Sequence, residues 1–186
     1  MVKAILDGRK SQTRRVVKPQ PDHGVIRKCP GDEVTFANFE MDIRPGVGWI
    51  PIGKSFTSPY QVGDRLWVKE TWQIDEEGHV IIYKADEGSE NTKIFIFGGY
   101  HWRPSIFMPK QYTRLWLEVT AVRAERLNSI TEEDAKTEGC TIDRLPDGSY
   151  STAIEHFRDL WDSIHGEEAS WESNCFVWRY TFELAP

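Results

Sequence analysis

The chain has 186 residues, of which 39% are hydrophobic and 28% are charged, and its formal net charge at pH 7 is −6. These values are typical of a folded globular protein, exclude an intrinsically disordered chain, and suit one domain better than two. The net negative charge also excludes a nucleic-acid-binding protein with a generally basic surface.

The cysteines and the apolar segments limit the class of protein further. The three cysteines lie far apart, and neither they nor the five histidines show the short spacings of a zinc site or a disulfide framework. No apolar run reaches the about 18 residues that a membrane span requires, and the N-terminus lacks the apolar core of a signal peptide. We therefore expect a cytoplasmic protein with no metal ion, no other cofactor and no membrane partner.

The first predicted element is a short amphipathic helix. Val2, Ile5 and Leu6 recur at helical spacing, and Gly8 marks its end. The segment 8–18 that follows contains no acidic residue but five cationic ones, namely Arg9, Lys10, Arg14, Arg15 and Lys18. Without this segment the formal net charge would be −11, so the positive charge is a local feature on an acidic background. Such a distribution favours an anion-binding cleft or edge.

The middle of the chain changes from turn-forming to strand-forming composition. Residues 19–61 are rich in proline and glycine and predict long loops with one hairpin. Five later segments carry alternating or β-rich patterns that predict strands, namely 64–72, 79–86, 92–99, 113–127 and 175–184.

Two helices are predicted in the second half. Thr131, with Asp134 three residues later, resembles a capping box, and Gly139 stands at the C-terminal end of that helix. Residues 153–165 carry four large apolar side chains on one helical face, namely Phe157, Leu160, Trp161 and Ile164. Strands separated by irregular loops, with short inserted helices, indicate an α+β fold built on a small, mostly antiparallel β-barrel.

The basic segment contains a pair of residues with catalytic potential. Lys10 and Thr13 are three positions apart, so their side chains can meet on a helical turn or a tight loop. A threonine hydroxyl becomes a nucleophile when a neighbouring base takes its proton, and a lysine is such a base in its neutral form. The pattern alone favours a solvated basic loop over a catalytic pair, and both alternatives stay open at this point.

A family resemblance adds to this pattern. Residues 8–15 read G-R-K-S-Q-T-R-R, which resembles the G-x-K-x-x-[ET]-x-R signature of ASCH domains, members of the PUA-like barrel folds. The Gly63-Asp64 turn, the helix at 131–138 and the closing strand at 177–184 are also similar to that family. The resemblance implies one PUA-like domain over residues 1–186, of the prophage type, with insertions at about 19–58, 73–113 and 140–152.

One branch of this family, the small bacterial N4-acetylcytidine amidohydrolases, implies a catalytic set. Its lysine proton acceptor falls on Lys10, its threonine nucleophile on Thr13, and its glutamate proton donor on Glu138. The pocket would be formed by residues 8–15, 63–72 and 131–138. The expected function is hydrolysis of an acyl amide on a nucleobase such as that of N4-acetylcytidine.

Further residues are expected to bind the nucleoside or RNA partner. Arg9, Arg14 and Arg15 would contact phosphate or a developing oxyanion. Three tryptophans lie in or beside loops, where an aromatic ring can stack on a base, namely Trp49, Trp72 and Trp102, and we select Trp72 for the site. The alternative function is a non-catalytic module that binds RNA or reads a modified base, and a phage assembly or host-interaction protein is a third possibility.

Overall fold

The computed structural model describes residues 1–21, 26–28, 35–42, 48–74, 80–87, 101–142 and 148–186. Of residues 26–28, 35–42 and 48–55 it describes the backbone alone. The helices of these parts are α1 (Val2–Leu6), α2 (Glu132–Thr137) and α3 (Ala153–His165). The strands are β1 (Gln12–Val16), β2 (Ile26–Lys28), β3 (Thr35–Asp42), β4 (Gly48–Thr57), β5 (Arg65–Trp67), β6 (Trp72–Ile74), β7 (Ile81–Tyr83), β8 (Trp116–Arg126) and β9 (Phe176–Leu184).

The central sheet is antiparallel and curls into a half-barrel, with the strand order β1-β9-β8-β5. Its two long strands, β8 and β9, pair along almost their whole length. The register shifts between Val119 and Ala121, a bulge of the kind that bends a strand and increases its twist. The predicted α+β class with mostly antiparallel strands is therefore confirmed.

Two smaller sheets show where the sequence-based expectations were wrong. Residues 19–61 contain a three-stranded antiparallel sheet of β2, β3 and β4, where we expected loops with one hairpin. Pro51 in β4 misled the prediction, because proline cannot donate a ladder hydrogen bond. In this three-stranded sheet β4 is an edge strand, the position in which proline is tolerated. The predicted strand at 92–99 lies outside the described residues.

The predicted strand at 64–72 divides into β5 and β6. Between them the chain leaves the central sheet at Glu70, whose buried carboxylate accepts two hydrogen bonds from Arg114, at 2.9 and 2.8 Å. Pairing then resumes with different partners, because Trp72 bonds to the backbone of Arg103 and β6 pairs with β7. The segment that the alternating pattern predicts as one strand is therefore two strands, and the buried Glu70 between them is paired with Arg114.

Both predicted helices of the second half are confirmed, and so is the predicted capping box of the first. Thr131 Oγ1 accepts a hydrogen bond from the Asp134 N–H at 3.1 Å, and the Asp134 carboxylate accepts one from the Thr131 N–H. Thr152 and Glu155 form an equivalent capping box at the start of α3. Both helices therefore begin where local hydrogen bonding satisfies their first N–H groups.

The central sheet is buried on both faces. Val177 of β9 packs in an apolar cluster with α2 and α3, which includes Phe157 and Trp161. The next residue, Trp178, belongs to a second cluster with Val119 and Tyr180, because side chains alternate along a strand. No helix in the described part of the chain is long and apolar enough to cross a membrane.

Gly139 allows the end of α2 to approach the start of the chain closely. Its φ of +90° is a conformation that favours glycine, and an added Cβ would lie 3.1 Å from Ala4 Cβ and 3.3 Å from Lys10 Cβ. Gly63 has the same φ of +90°, but an added Cβ there would meet no atom within 4 Å. A side chain added at Gly63 would therefore cause backbone strain alone, whereas one added at Gly139 would cause backbone strain and steric crowding.

We expect Gly63→Ala to lower the free energy of unfolding by about 1 kcal/mol, the cost of backbone strain alone. Gly139→Ala adds crowding against Ala4 and Lys10, for a total of roughly 2–4 kcal/mol. Urea unfolding of the two variants measures the difference. Equal losses would show that the close approach at Gly139 is not a packing constraint.

Candidate functional site

Lys10 and Glu138 form a buried ion pair between the start of β1 and the end of α2. Lys10 Nζ donates to Glu138 Oε2 at 2.7 Å and to the Glu138 carbonyl oxygen at 2.7 Å. Both side chains are only 6% exposed. A backbone hydrogen bond from the Ser11 N–H to the Thr137 carbonyl, at 2.8 Å, fastens the two segments beside the pair. The Lys10–Glu138 pair joins residues 128 positions apart in the chain.

Arg14 extends the pair into a larger buried network. Its guanidinium donates to Glu138 Oε1 at 3.1 Å and to Glu125 Oε1 at 3.0 Å, and its Nη2 lies 3.5 Å from Asp134. Arg179 shares two of these three carboxylates with Arg14. It lies 3.6 Å from Glu125 and 3.3 Å from Asp134. With Lys10, the network holds three positive and three negative side chains, so its formal charge is zero.

The network compensates a repulsion that the strand register creates. Arg14 on β1 stands directly opposite Arg179 on β9, and like charges in that position destabilise a sheet. Burial alone would raise the pKa of Asp134, but Arg179, two hydrogen bonds with Thr131, and Arg14 hold that pKa below its usual value. The Asp134 carboxylate is therefore held in its ionised form between the two guanidinium groups.

A first cavity of about 410 Å³ opens beside the ion pair. Lys10, Thr13 and Glu138 all line it, so the structure brings the three predicted catalytic residues to one concave surface. The opposite wall comes from α3, namely from His156, Leu160, Trp161, Ile164 and His165. A second cavity, of about 640 Å³, begins at residues shared with the first, because Lys10, Thr13 and Arg15 line both.

The catalytic hypothesis requires Lys10 to lie close to the Thr13 hydroxyl, but this hydroxyl has a different hydrogen-bond partner. Its Oγ1 accepts a hydrogen bond from Arg15 Nη1 at 3.1 Å. In the described part of the chain, no hydrogen bond joins Lys10 to Thr13. Because Arg15 supplies the donor, the Thr13 hydroxyl proton is left for another acceptor. The three predicted catalytic residues thus share a cavity, while only Lys10 and Glu138 are directly bonded.

The predicted ligand-binding residues have different locations. Arg14 lines the first cavity, but its guanidinium is occupied by the three carboxylates of the network. Arg9 is exposed, pairs with Asp7 at 2.8 Å, and lines neither cavity. Trp72 is buried against Arg103 and Tyr112 and also lies away from both cavities. Arg15 is the predicted phosphate ligand that is exposed within both.

The role of α3 as a cavity wall was missed by sequence reasoning. The apolar stripe on 153–165 correctly predicts a helix, and Phe157 and Trp161 are indeed buried. Leu160 and Ile164, however, are 45% and 62% exposed and face the first cavity. The histidines at 156 and 165 flank this stripe at helical spacing, which was the available signal.

Two titratable groups of the cavity wall are shifted. Burial, and then the charges of Arg15 and Lys18, lower the pKa of His165 below its usual value, so its imidazole is neutral at pH 7. Burial, together with the nearby Glu138 carboxylate, raises the pKa of Cys140 to about 11. The Cys140 thiol is therefore protonated at neutral pH and is a poor nucleophile. Among the described residues, no group of three His, Cys, Asp or Glu side chains could hold a metal ion.

Compared with known proteins, the chain matches no protein-family model, no curated protein and no solved structure. The ASCH resemblance of residues 8–15 therefore stays a prediction, as do the roles that it implies.

Removing Arg14 tests the energetic importance of the network. We expect Arg14→Met to lower the free energy of unfolding by about 3–5 kcal/mol, because it leaves buried carboxylates uncompensated. Arg158→Met is the matched control, since Arg158 is exposed and paired with Asp159 at 3.3 Å, and it should cost less than about 1 kcal/mol. Urea unfolding measures both, and similar costs would contradict a structural role for the network.

The lowered pKa of Asp134 predicts a pH dependence of stability. A carboxyl whose pKa is lower in the folded than in the unfolded state stabilises the fold above the unfolded pKa, about 3.9 for Asp. That contribution is lost as the pH falls through the lower folded-state pKa. Urea unfolding between neutral and acid pH should therefore show a smaller acid-dependent loss for Asp134→Asn than for wild type. If the free energy of unfolding changed with pH in the same way in both proteins, the stabilising contribution of the Asp134 carboxylate would be ruled out.

Proposed function

We propose that the protein hydrolyses an acyl amide on a nucleobase, with N4-acetylcytidine as the model substrate, and that its half-barrel is of the PUA-like ASCH type. One observation carries the proposal: Lys10, Thr13 and Glu138 line a single cavity, and the Lys10 amine lies 2.7 Å from the Glu138 carboxylate. The volume of about 410 Å³ is within the usual range of small-molecule sites, about 300–1,000 Å³.

The ion pair supplies the acid and the base of the proposed reaction. Transfer of one proton from Lys10 to Glu138 yields a neutral amine and a neutral carboxylic acid. The amine then takes the hydroxyl proton of Thr13 while its oxygen bonds to the acyl carbon. Glu138 donates its proton to the exocyclic nitrogen as the amide C–N bond breaks. Water hydrolyses the resulting threonine ester, which releases the carboxylic acid and restores the threonine.

The surroundings of Thr13 support charge development at this point. Arg15 Nη1 lies 3.1 Å from Thr13 Oγ1, so a positive charge already faces the oxygen that loses its proton in the attack. On the opposite wall, the rings of Trp161 and His165 lie with their centroids 4.1 Å apart. Together with Leu160 and Ile164 they offer an apolar, aromatic surface against which a base can pack.

A reader of a modified base is the second candidate, and the network favours it. Lys10 and Glu138 already satisfy each other and belong to a charge-balanced cluster that holds β1 to α2, a structural role that needs no reaction. A non-catalytic module would use the same cavity and bind the same nucleoside without releasing the acyl group.

Turnover of N4-acetylcytidine to cytidine separates the two candidates. We expect Thr13→Val to lower turnover about a hundredfold or more, because it removes the nucleophile and keeps the shape of the side chain. Thr13→Ser keeps the hydroxyl and is the matched control, which should retain most of the activity. Nucleoside binding should survive both changes, since the hydroxyl reacts rather than anchors the ligand.

Lys10→Ala and Glu138→Gln complete the test. Each should reduce turnover as strongly as Thr13→Val, and combining Lys10→Ala with Thr13→Val should add little, because the residues act as one unit. Both changes also disturb the buried network, so their folded fraction is measured by circular dichroism alongside activity. Wild-type protein that binds the nucleoside without releasing cytidine would establish the reader, and full activity of Thr13→Val would require another nucleophile.

A further inference from the structure

All the charged side chains that line the second cavity are positive. Five cationic side chains line it, namely Lys10, Arg15, Arg65, Lys69 and Lys110, and no Asp or Glu does. We propose that this cavity binds the phosphate of the ligand, so that the natural ligand is a phosphorylated nucleoside or a nucleic-acid strand rather than a free nucleoside. The link to a base rests on the proposed function, whereas the anion site itself does not.

Of these five cations, only Lys10 belongs to the charge-balanced network, where it pairs with Glu138. In the described residues no Asp or Glu side chain forms an ion pair with Arg15, Lys69 or Lys110. The Lys69 ammonium instead donates to the Ile106 carbonyl oxygen at 3.0 Å, and Arg15 donates to Thr13 Oγ1 and to the Arg14 carbonyl oxygen. A carbonyl oxygen orients a cation but does not cancel its charge, so the cavity keeps a positive field.

Aromatic rings hold the same cations in place. Lys69 Nζ lies 4.9 Å from the centre of the Trp67 ring, and Lys110 Nζ lies 5.0 Å from that of Trp116. The Arg65 guanidinium lies 5.6 Å from the same Trp116 ring. Such contacts hold each side chain against a ring and leave some of its N–H donors free. Clustered cations repel one another, and a bound phosphate would relieve that repulsion.

The position of this cavity relative to Thr13 indicates how the ligand would lie. Thr13 and Arg15 line both cavities, so a ligand that spans them would pass beside Thr13. The first cavity has the apolar α3 wall and the second has the cationic wall from β5 and Lys110. An amphiphilic ligand with an apolar ring and a phosphate group fits this division, with the base against α3 and the phosphate beside Lys69.

Binding of three defined probes tests this proposal without any turnover. The probes are cytidine, cytidine 5′-monophosphate and a short single-stranded RNA, and their dissociation constants are measured by calorimetry at several salt concentrations. We expect the monophosphate to bind at least about tenfold more tightly than cytidine. The RNA should bind more weakly as salt increases, because bound phosphates release counterions.

Charge-removing variants locate the effect. Lys69→Gln combined with Lys110→Gln should bring the affinity ratio between the monophosphate and cytidine close to one, and should lower the salt dependence of RNA binding. Lys136→Gln removes one positive charge, as each of these two changes does, but from an exposed position on α2 outside both cavities, and it should leave the ratio unchanged. If the monophosphate and the RNA both bind more tightly than cytidine by the same factor, the site binds a single phosphate group. If only the RNA binds more tightly than cytidine, the natural ligand is a nucleic-acid strand.

The outcomes distinguish this proposal from the proposed function. A monophosphate that binds no better than cytidine, together with salt-independent RNA binding, would overturn the phosphate site even if N4-acetylcytidine is hydrolysed. An equal loss in Lys136→Gln would also overturn it, since the effect would then be one of net charge. A preserved phosphate preference without hydrolysis would leave the phosphate site standing and remove the amidohydrolase.

Discussion

The rest of the structure depends on one interaction, the buried network around Arg14. Its members come from β1 and the segment just before it, from β8 and β9, and from both ends of α2, so a single charge-balanced cluster holds the sheet and the helix in one arrangement. Removing charges from water is costly, and it is tolerated here because each cation faces a carboxylate within 4 Å. The same network places Lys10 and Glu138 at the edge of a cavity, where a structural ion pair is also a potential acid and base.

The two faces of β1 carry different chemistry. Gln12 and Arg14 are buried towards the network, whereas Thr13 and Arg15 point the other way and border both cavities. Alternation along a strand is the physical cause, because successive side chains leave a strand on opposite sides. The cationic residues of the basic segment therefore separate into those that stabilise the fold and those that remain free for a ligand.

Local patterns predicted several elements well. The capping box at Thr131, the apolar stripe of 153–165 and the alternation in β8 and β9 depend on neighbours within a few residues, and the structure confirms each of them. The predictions failed in two places. Strands β2, β3 and β4 lie within residues 19–61, where proline and glycine favoured loops, and the alternation at 64–72 divides into two strands on either side of Glu70, which pairs with Arg114 far along the chain.

The sequence by itself determined the acidic background, the isolated basic segment and the spacing of Lys10 and Thr13. Only the tertiary structure decided that Glu138 meets Lys10, that α3 forms a cavity wall, and that Lys69 and Lys110 join Arg15 around a second cavity. These contacts join residues far apart in the chain, so no local spacing encodes them. They follow from the pairing of β1 with β9 and from the packing of α2 and α3 on the sheet, which form only when the whole chain folds.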